Sequence, residues 1–402
     1  MRVNLAGSVV ILATASFLMI CGCTGNTANL GEPRIVENPS LPGSQAPNLA
    51  AGLDGTVYLS WVEPKEDGHA LRFSTWRDGR WTKPKTVAEG DDWFVNWADF
   101  PSMAAIGDGT LAAHWLVRSG GPSYAYDVYL ALSSDGGDSW SEPFRPHRDA
   151  TETEHGFVSL VPSPDGHFEV IWLDGRKTAE TPRGAMTLRY AALHPDGRLE
   201  AEAEVDPSVC DCCSTDALRT GDGALLTAYR DRTASEVRDI SVSLLQESEW
   251  STPRTVHADN WEIAGCPVNG PAVAGLSDLI AVSWFTAASD SALVQTAFSS
   301  DGGQTFGRPL RVDDGNPLGR VDVVMLDEKS ALVSWLERDT DHARIALRRV
   351  TPSGVTQPTF VTTTSQARSS GFPRMVSIDG EIILAWTEGD EPSRIGTAVI
   401  AK

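Results

Sequence analysis

Basic residues are scarce in this chain. Its 402 residues hold 33 Lys and Arg against 54 Asp and Glu, a formal net charge of −21. That deficit argues against a nucleic-acid partner, because phosphate binding needs a basic face. An anionic ligand would need a local cluster of arginines working against this background. No segment shows a long helical hydrophobic period, which argues against a helical architecture. Neither an H-E-x-x-H motif nor a His-rich tract is present, so nothing points to zinc catalysis of that type. Tyrosine is sparse, at positions 58, 124, 126, 129, 190 and 229, with none after Tyr229. The rest of the composition is ordinary, with 41% hydrophobic and 22% charged residues, ample for a large core.

What the chain does have is a repeat. Trp61, Trp115, Trp172, Tyr229, Trp284, Trp335 and Trp386 each close a β-type run, at successive spacings of 54, 57, 57, 55, 51 and 51 residues. A period near 50 means an array of supersecondary units. Length alone would suggest two or three domains; the repeat predicts a single domain over 33–402. Each unit reads as four strands. In the first, Ala46–Ala50 precedes the turn Asp54-Gly55, then TVYLSW, ALRFSTW, the turn Asp78-Gly79 and WTKPKTV. Alternating apolar and β-branched residues broken by Gly, Asp and Pro are strand and turn signals.

The first 22 residues read as an export signal, with Arg2 followed by the apolar run LAGSVVILATASFLMI and small residues. Ile20-Cys21-Gly22-Cys23 resembles a bacterial lipobox, which implies cleavage before Cys23 and a diacylglycerol on its sulfur. Residues 23–32 read as a polar tether. Thr24 after the lipidated cysteine implies the outer membrane. The expectation is an exported lipoprotein, on its periplasmic or surface face, held to the membrane by its lipid alone.

Two octapeptides, Ser133-Ser134-Asp135-Gly136-Gly137-Asp138-Ser139-Trp140 and Ser299-Ser300-Asp301-Gly302-Gly303-Gln304-Thr305-Phe306, occupy the same phase of the repeat. An Asp there accepts turn N–H groups, glycines take φ > 0, and the aromatic anchors the next strand. Both resemble the Asp-box (BNR repeat) of sialidases and related β-propellers, whose Asp-boxes lie opposite the active face. Asp135, Gly137, Trp140, Asp301, Gly303 and Phe306 are therefore structural residues. The expected fold is all-β, a propeller of four-stranded antiparallel blades. The last unit has only three strands, and PRIVENP at 33–39 resembles the endings of other units. It is expected to supply the missing outer strand and close the ring. That gives seven blades, with the six of sialidases as the alternative. A kelch propeller would show Gly-Gly after the second strand, which is absent.

Loops joining second to third strands share a face with those joining consecutive blades. On that face fall Glu63, Arg118, Asp174, Arg176, Arg230, Asp231, Arg232, Glu337, Arg338 and Glu388. The inter-blade loops add Trp93, Trp97, Asp99, His155, Arg320 and Arg374. Guanidinium groups bind carboxylates in bidentate fashion. Arg118, Arg176, Arg230, Arg232, Arg338 and Arg374, with Trp93 and Trp97 as packing surfaces, are therefore candidate anionic-ligand residues. Asp99, Asp174, Asp231 and Glu337 are candidate general acids or bases, where burial raises a pKa. The competing reading pairs these Arg and Asp side chains with each other. Resemblance to sialidases further implies three arginines on the substrate carboxylate, a Tyr–Glu nucleophile pair and an Asp acid/base. Pro33-Arg34-Ile35-Val36 matches the family's first-arginine motif only partly. The family's nucleophilic Tyr lies in the C-terminal part of the propeller, where this chain has none; Tyr229 is the remaining candidate.

Cys210, Cys212 and Cys213 enter the fourth blade and Cys266 the fifth, so four sulfurs are expected to converge on the same face. Three readings stand: two disulfides, with Cys266 bridged to Cys212 or Cys213; one disulfide and two thiols; or a thiolate site for copper(I) or zinc. Three functions follow. The protein binds an anionic glycan, or cleaves one as an exo-sialidase-like glycoside hydrolase; or it is a non-enzymatic metal or redox lipoprotein; or it is a protein-docking scaffold.

Overall fold

The computed structural model describes residues 1–2, 30–181, 184–389 and 391–402. The export signal, Cys23 and most of the tether lie outside the described residues.

The chain forms seven antiparallel blades in sequence order. Their inner three strands run Gln45–Ala51, Val57–Lys65 and Gly68–Arg77 in blade 1, and Ser102–Gly107, Thr110–Arg118 and Tyr126–Ser133 in blade 2. Blade 3 has His155–Pro162, Phe168–Asp174 and Met186–Leu193, and blade 4 has Asp216–Arg219, Leu225–Arg230 and Ile240–Gln246. Blade 5 has Ala272–Leu276, Leu279–Thr286 and Leu293–Ser299. Blade 6 has Pro317–Asp327, Ser330–Arg338 and Ala343–Thr351, and blade 7 has Arg374–Ile378, Glu381–Glu388 and Arg394–Ala401. Outer strands complete them, as Leu199–Val209 does in blade 3. In blade 2 the outer segment shrinks to an isolated bridge between Leu130 and Phe144.

The N-terminal segment closes the ring as the outer strand of blade 7. Arg34 and Ile35 pair with Val399 and Ala398 on the last strand, and Val36 N–H donates to the Thr397 carbonyl at 2.9 Å. This covers the edge that blade 7 would otherwise leave open.

The core is divided by interface, with one apolar cluster between each pair of neighbouring blades around the ring. The repeating aromatics are its anchors; Trp61, Trp172 and Trp284 are fully buried. A buried indole N–H needs an acceptor. In a strand the residue two positions on points to the same side, and in three blades that is where the acceptor sits, whereas Trp284 donates to Asp259 at 2.7 Å. Trp172 Nε1 donates to Asp174 at 2.9 Å, Trp335 to Glu337 at 2.6 Å and Trp61 to Glu63 at 3.4 Å. These carboxylates at the loop face thus serve the core below them.

Candidate functional site

The two Asp-box turns have the same internal bonding. Asp135 Oδ1 accepts from Ser139 N–H at 2.9 Å and Asp301 Oδ1 from Thr305 N–H at 2.9 Å. The Ser133 and Ser299 hydroxyls accept from Gly137 and Gly303 N–H at 2.9 and 2.8 Å. At Gly137 φ is +79°, and a Cβ there would lie 2.4 Å from the Phe73 ring, so only glycine fits. Trp140 packs edge-on against Phe73, and Phe306 packs on the blade 4–5 core. Asp135 lies beside Asp54 and Gly109, at the first-to-second-strand turns. That is the end of the propeller opposite the loops carrying the candidate site.

Between the two ends, inner strands of blades 1 to 4 and Arg374 of blade 7 line a central cavity of about 200 Å³. Pockets that engulf a small molecule usually reach about 300–1,000 Å³. Arg374 stands 3.6 Å from Asp322.

Most of the nominated arginines are occupied within the protein. Arg230 is 1% exposed; it donates to the carbonyls of Asn269, Arg238 and Phe285 at 2.6–3.0 Å. It also lies over the Trp261 ring. Arg232 pairs with Asp211 and Glu236 at 2.9 and 2.7 Å. Arg176 forks onto Asp174 at 2.7 and 2.6 Å. Burial alone would raise the Asp174 carboxyl; the Arg176 fork and the Trp172 bond hold it below its ordinary range. Arg118 and Arg338 are exposed, with Arg118 over the Phe94 ring. Trp93 is buried and stacked on Trp115. Trp97 stacks on Phe372 and lies under Arg320 and Arg368. Tyr229 is 1% exposed and donates to Asp206 at 2.8 Å; burial and that carboxylate push its phenol well up. Asp231 accepts from Arg232 N–H and the Ser241 hydroxyl, and burial raises it.

Asp99 behaves differently. It lines the cavity, is 2% exposed, and accepts from Phe157 N–H at 2.8 Å. The Tyr126 hydroxyl stands 2.8 Å from Asp99 Oδ2 and 2.8 Å from Glu154 Oε1. A phenol has one proton to donate, so only one of these carboxylates can receive it. The other contact requires a protonated carboxyl. Burial pushes Asp99 up to about 7 and Glu154 up to about 8, the latter helped by the charges of Asp99, Asp211 and Cys266. Gly156 makes the arrangement possible, since a Cβ there would sit 1.9 Å from Asp99 Oδ2. Sequence reading missed Tyr126 and Glu154. The signal was weak, because the three residues come from separate segments around blades 1 to 3.

Next to Glu154 the cysteines gather. Cys210 Sγ lies 3.4 Å from Cys213 Sγ and 4.0 Å from Cys212 Sγ. Cys266, from the next inter-blade loop, adjoins the Cys212 thiol. Cys210 and Cys213 are buried, Cys212 is half-buried and Cys266 is exposed. Arg238 Nη1 donates to Cys210 Sγ at 3.2 Å. Hydrogen bonds from Cys212 and Cys213, then the Arg230 charge, hold the Cys210 thiol well below its usual range. Burial pushes the Cys213 thiol up. The hydrogen bond from Cys212 also holds the Cys266 thiol below its usual range. The cluster therefore offers two thiols eased toward the thiolate, Cys210 and Cys266, beside Cys212 and Cys213.

No protein-family model matches the chain, and no curated protein sequence matches it. A search of solved structures found similar chains. A protein of unknown function from Dyadobacter fermentans is 13% identical, with a TM-score of 0.49, over 93% of this chain and 98% of that one. A variant of the NanB sialidase from Streptococcus pneumoniae is 9% identical, with a TM-score of 0.48, over 86% and 83%. An α-L-arabinanase from Penicillium chrysogenum, complexed with arabinobiose, is 12% identical, with a TM-score of 0.47, over 93% and 98%. The fold is a seven-bladed β-propeller. At these identities the likeness concerns the fold alone.

Proposed function

We propose that this protein binds a soft, thiolate-preferring metal ion, copper(I) or zinc, through Cys210, Cys212, Cys213 and Cys266 at the mouth of the propeller channel. The observation that carries the proposal is the convergence of Cys212 and Cys213 on Cys210, at 4.0 and 3.4 Å. Four thiolates at about 2.3 Å from a tetrahedral ion stand about 3.8 Å apart. Two separate disulfides would pair the sulfurs off instead of gathering them. Arg238 on Cys210 supplies the positive charge that favours a thiolate. Within the proposal the chain is an envelope lipoprotein anchored at Cys23, a setting in which exposed thiols oxidise unless a metal holds them. Titration of the reduced protein with copper(I) or zinc under anaerobic conditions tests it. One equivalent should bind, and Cys210→Ser and Cys213→Ser should each remove most of the affinity. Binding unchanged in both variants would overturn it.

A second reading rests on the Asp99–Tyr126–Glu154 group. A tyrosine held between two carboxyls, one of them protonated near neutral pH, has the components for acid–base work on a glycan. In this reading Arg374 and Trp97 contact an anionic sugar at the channel mouth. Turnover of sialylated or uronic-acid glycans that is lost in Tyr126→Phe would support it. Absence of both binding and turnover would remove it.

A further inference from the structure

Two arginines share one indole at the channel mouth and have no counter-charge. Arg320 lies on the first strand of blade 6 and Arg368 in the segment entering blade 7. Their guanidinium carbons stand 5.0 and 5.9 Å from the centre of the Trp97 ring. The chain has 54 Asp and Glu against 33 Lys and Arg. Yet among the described residues no carboxylate pairs with either guanidinium. Arg320 is 6% exposed. Burial and the Arg368 charge push it down to about 10. A buried charge without an opposite charge is costly, and a second cation beside it adds to the cost.

Arg320 is also incompletely used as a donor. Its Nη1 and Nη2 both donate to the Ala367 carbonyl at 3.1 Å. The other Nη1 hydrogen is shared between the Ser370 hydroxyl at 2.5 Å and the Gly371 carbonyl at 3.2 Å. Ser370 gives its own proton to the Ala367 carbonyl at 2.9 Å, so every partner here is neutral. A guanidinium has five N–H groups, and these bonds place three of them. The remaining two, Nε–H and the outer Nη2–H, lie parallel on the side-on edge. That is an edge that grips an oxyanion with two bonds. Neither has an acceptor among the described residues, and Nε is open to solvent. The edge is fixed in direction, because Asn269 Oδ1 holds the Arg320 backbone N–H at 2.7 Å and the carbonyls hold the far side of the guanidinium.

We propose that Arg320, through its Nε–Nη2 edge, and Arg368 bind a tetrahedral oxyanion, a phosphate or sulfate group, at the rim beside Trp97. Two guanidinium charges match a dianion better than a singly charged carboxylate. The free edge offers donors only, which suits sulfate as well as phosphate. Arg320 supplies the fixed pair of bonds, and Arg368, which is exposed, supplies the second charge. The site depends on neither metal binding at the cysteines nor glycan turnover.

The test uses the wild-type chain, kept reduced, with inorganic phosphate, inorganic sulfate, glycerol phosphate or acetate as the probe. Calorimetry should find one site for phosphate and for sulfate, and acetate should bind at least roughly 10-fold more weakly. In 15N-arginine-labelled protein, phosphate should shift the Arg320 Nε–H resonance. Arg368→Ala alters an exposed side chain, so the fold is kept; it should weaken phosphate binding by roughly 10–100-fold, the effect of one charge-assisted contact. Arg320→Lys keeps the charge and removes the two-bond edge, and should weaken it by a similar factor. Glycerol phosphate binding at least as tightly as phosphate assigns the group to an organic ligand; its exclusion assigns the free ion. Phosphate binding unchanged by Arg368→Ala, or an Arg320 Nε–H resonance that ignores phosphate, would overturn the inference. Acetate binding as tightly as phosphate, or no saturable binding of either oxyanion, would overturn it as well.

Discussion

Replacing Asp99 by Asn should change how stability depends on pH. The carboxyl sits near 7 in the folded chain against an ordinary 3.8, a rise of about 3 units, worth up to ~4 kcal/mol. The sign follows from proton counts. Between those values the folded state holds more protons than the unfolded state. The stabilisation is therefore complete below about pH 4 and is lost as the pH rises through about 7. Glu154 extends the same trend from 4.5 to about 8. The two titrate as a pair, because Tyr126 has one proton for both. Asn keeps an acceptor for Phe157 N–H and cannot ionise. Urea unfolding of wild type and Asp99→Asn at pH 4 to 8 reads the difference. The wild type should lose stability relative to the variant across that window, by an amount approaching ~4 kcal/mol. Parallel profiles for the two proteins would refute the claim that Asp99 is held protonated.

Asp174→Ala should cost about 3–5 kcal/mol, read by denaturant unfolding, because the Trp172 indole and Arg176 lose their common acceptor. Thiol metal binding should be untouched. Gly156→Ala should be destabilising and should displace Asp99, whose Oδ2 lies 1.9 Å from the added methyl position; its pH profile should then resemble that of Asp99→Asn. Ser133→Ala should cost about 1–3 kcal/mol by leaving Gly137 N–H unpaired, with no effect on the proposed thiol metal site.

The architecture was legible because it is periodic. Seven aromatics, two Asp-boxes and the resemblance of 33–39 to other strand endings led to seven blades closed by the N-terminal strand. The gathering of the cysteines could be anticipated because Cys210–Cys213 and Cys266 lie in consecutive inter-blade loops. The arginines were not legible. Arg230 is buried by carbonyls 39 and 55 residues away, and no local pattern announces that. Asp174 and Glu337 stood out as candidate site residues, although the strand period already placed them beside Trp172 and Trp335. Their position two residues after a buried Trp was the available signal. Asp99, Tyr126 and Glu154 come together only through tertiary packing.

The cysteine centre is tested most directly by counting metal and thiols in one sample of the wild-type protein purified without oxygen. The thiolate account predicts one copper or zinc per chain, with the four thiols becoming reactive only after the metal is removed. Two disulfides and no bound metal would contradict it.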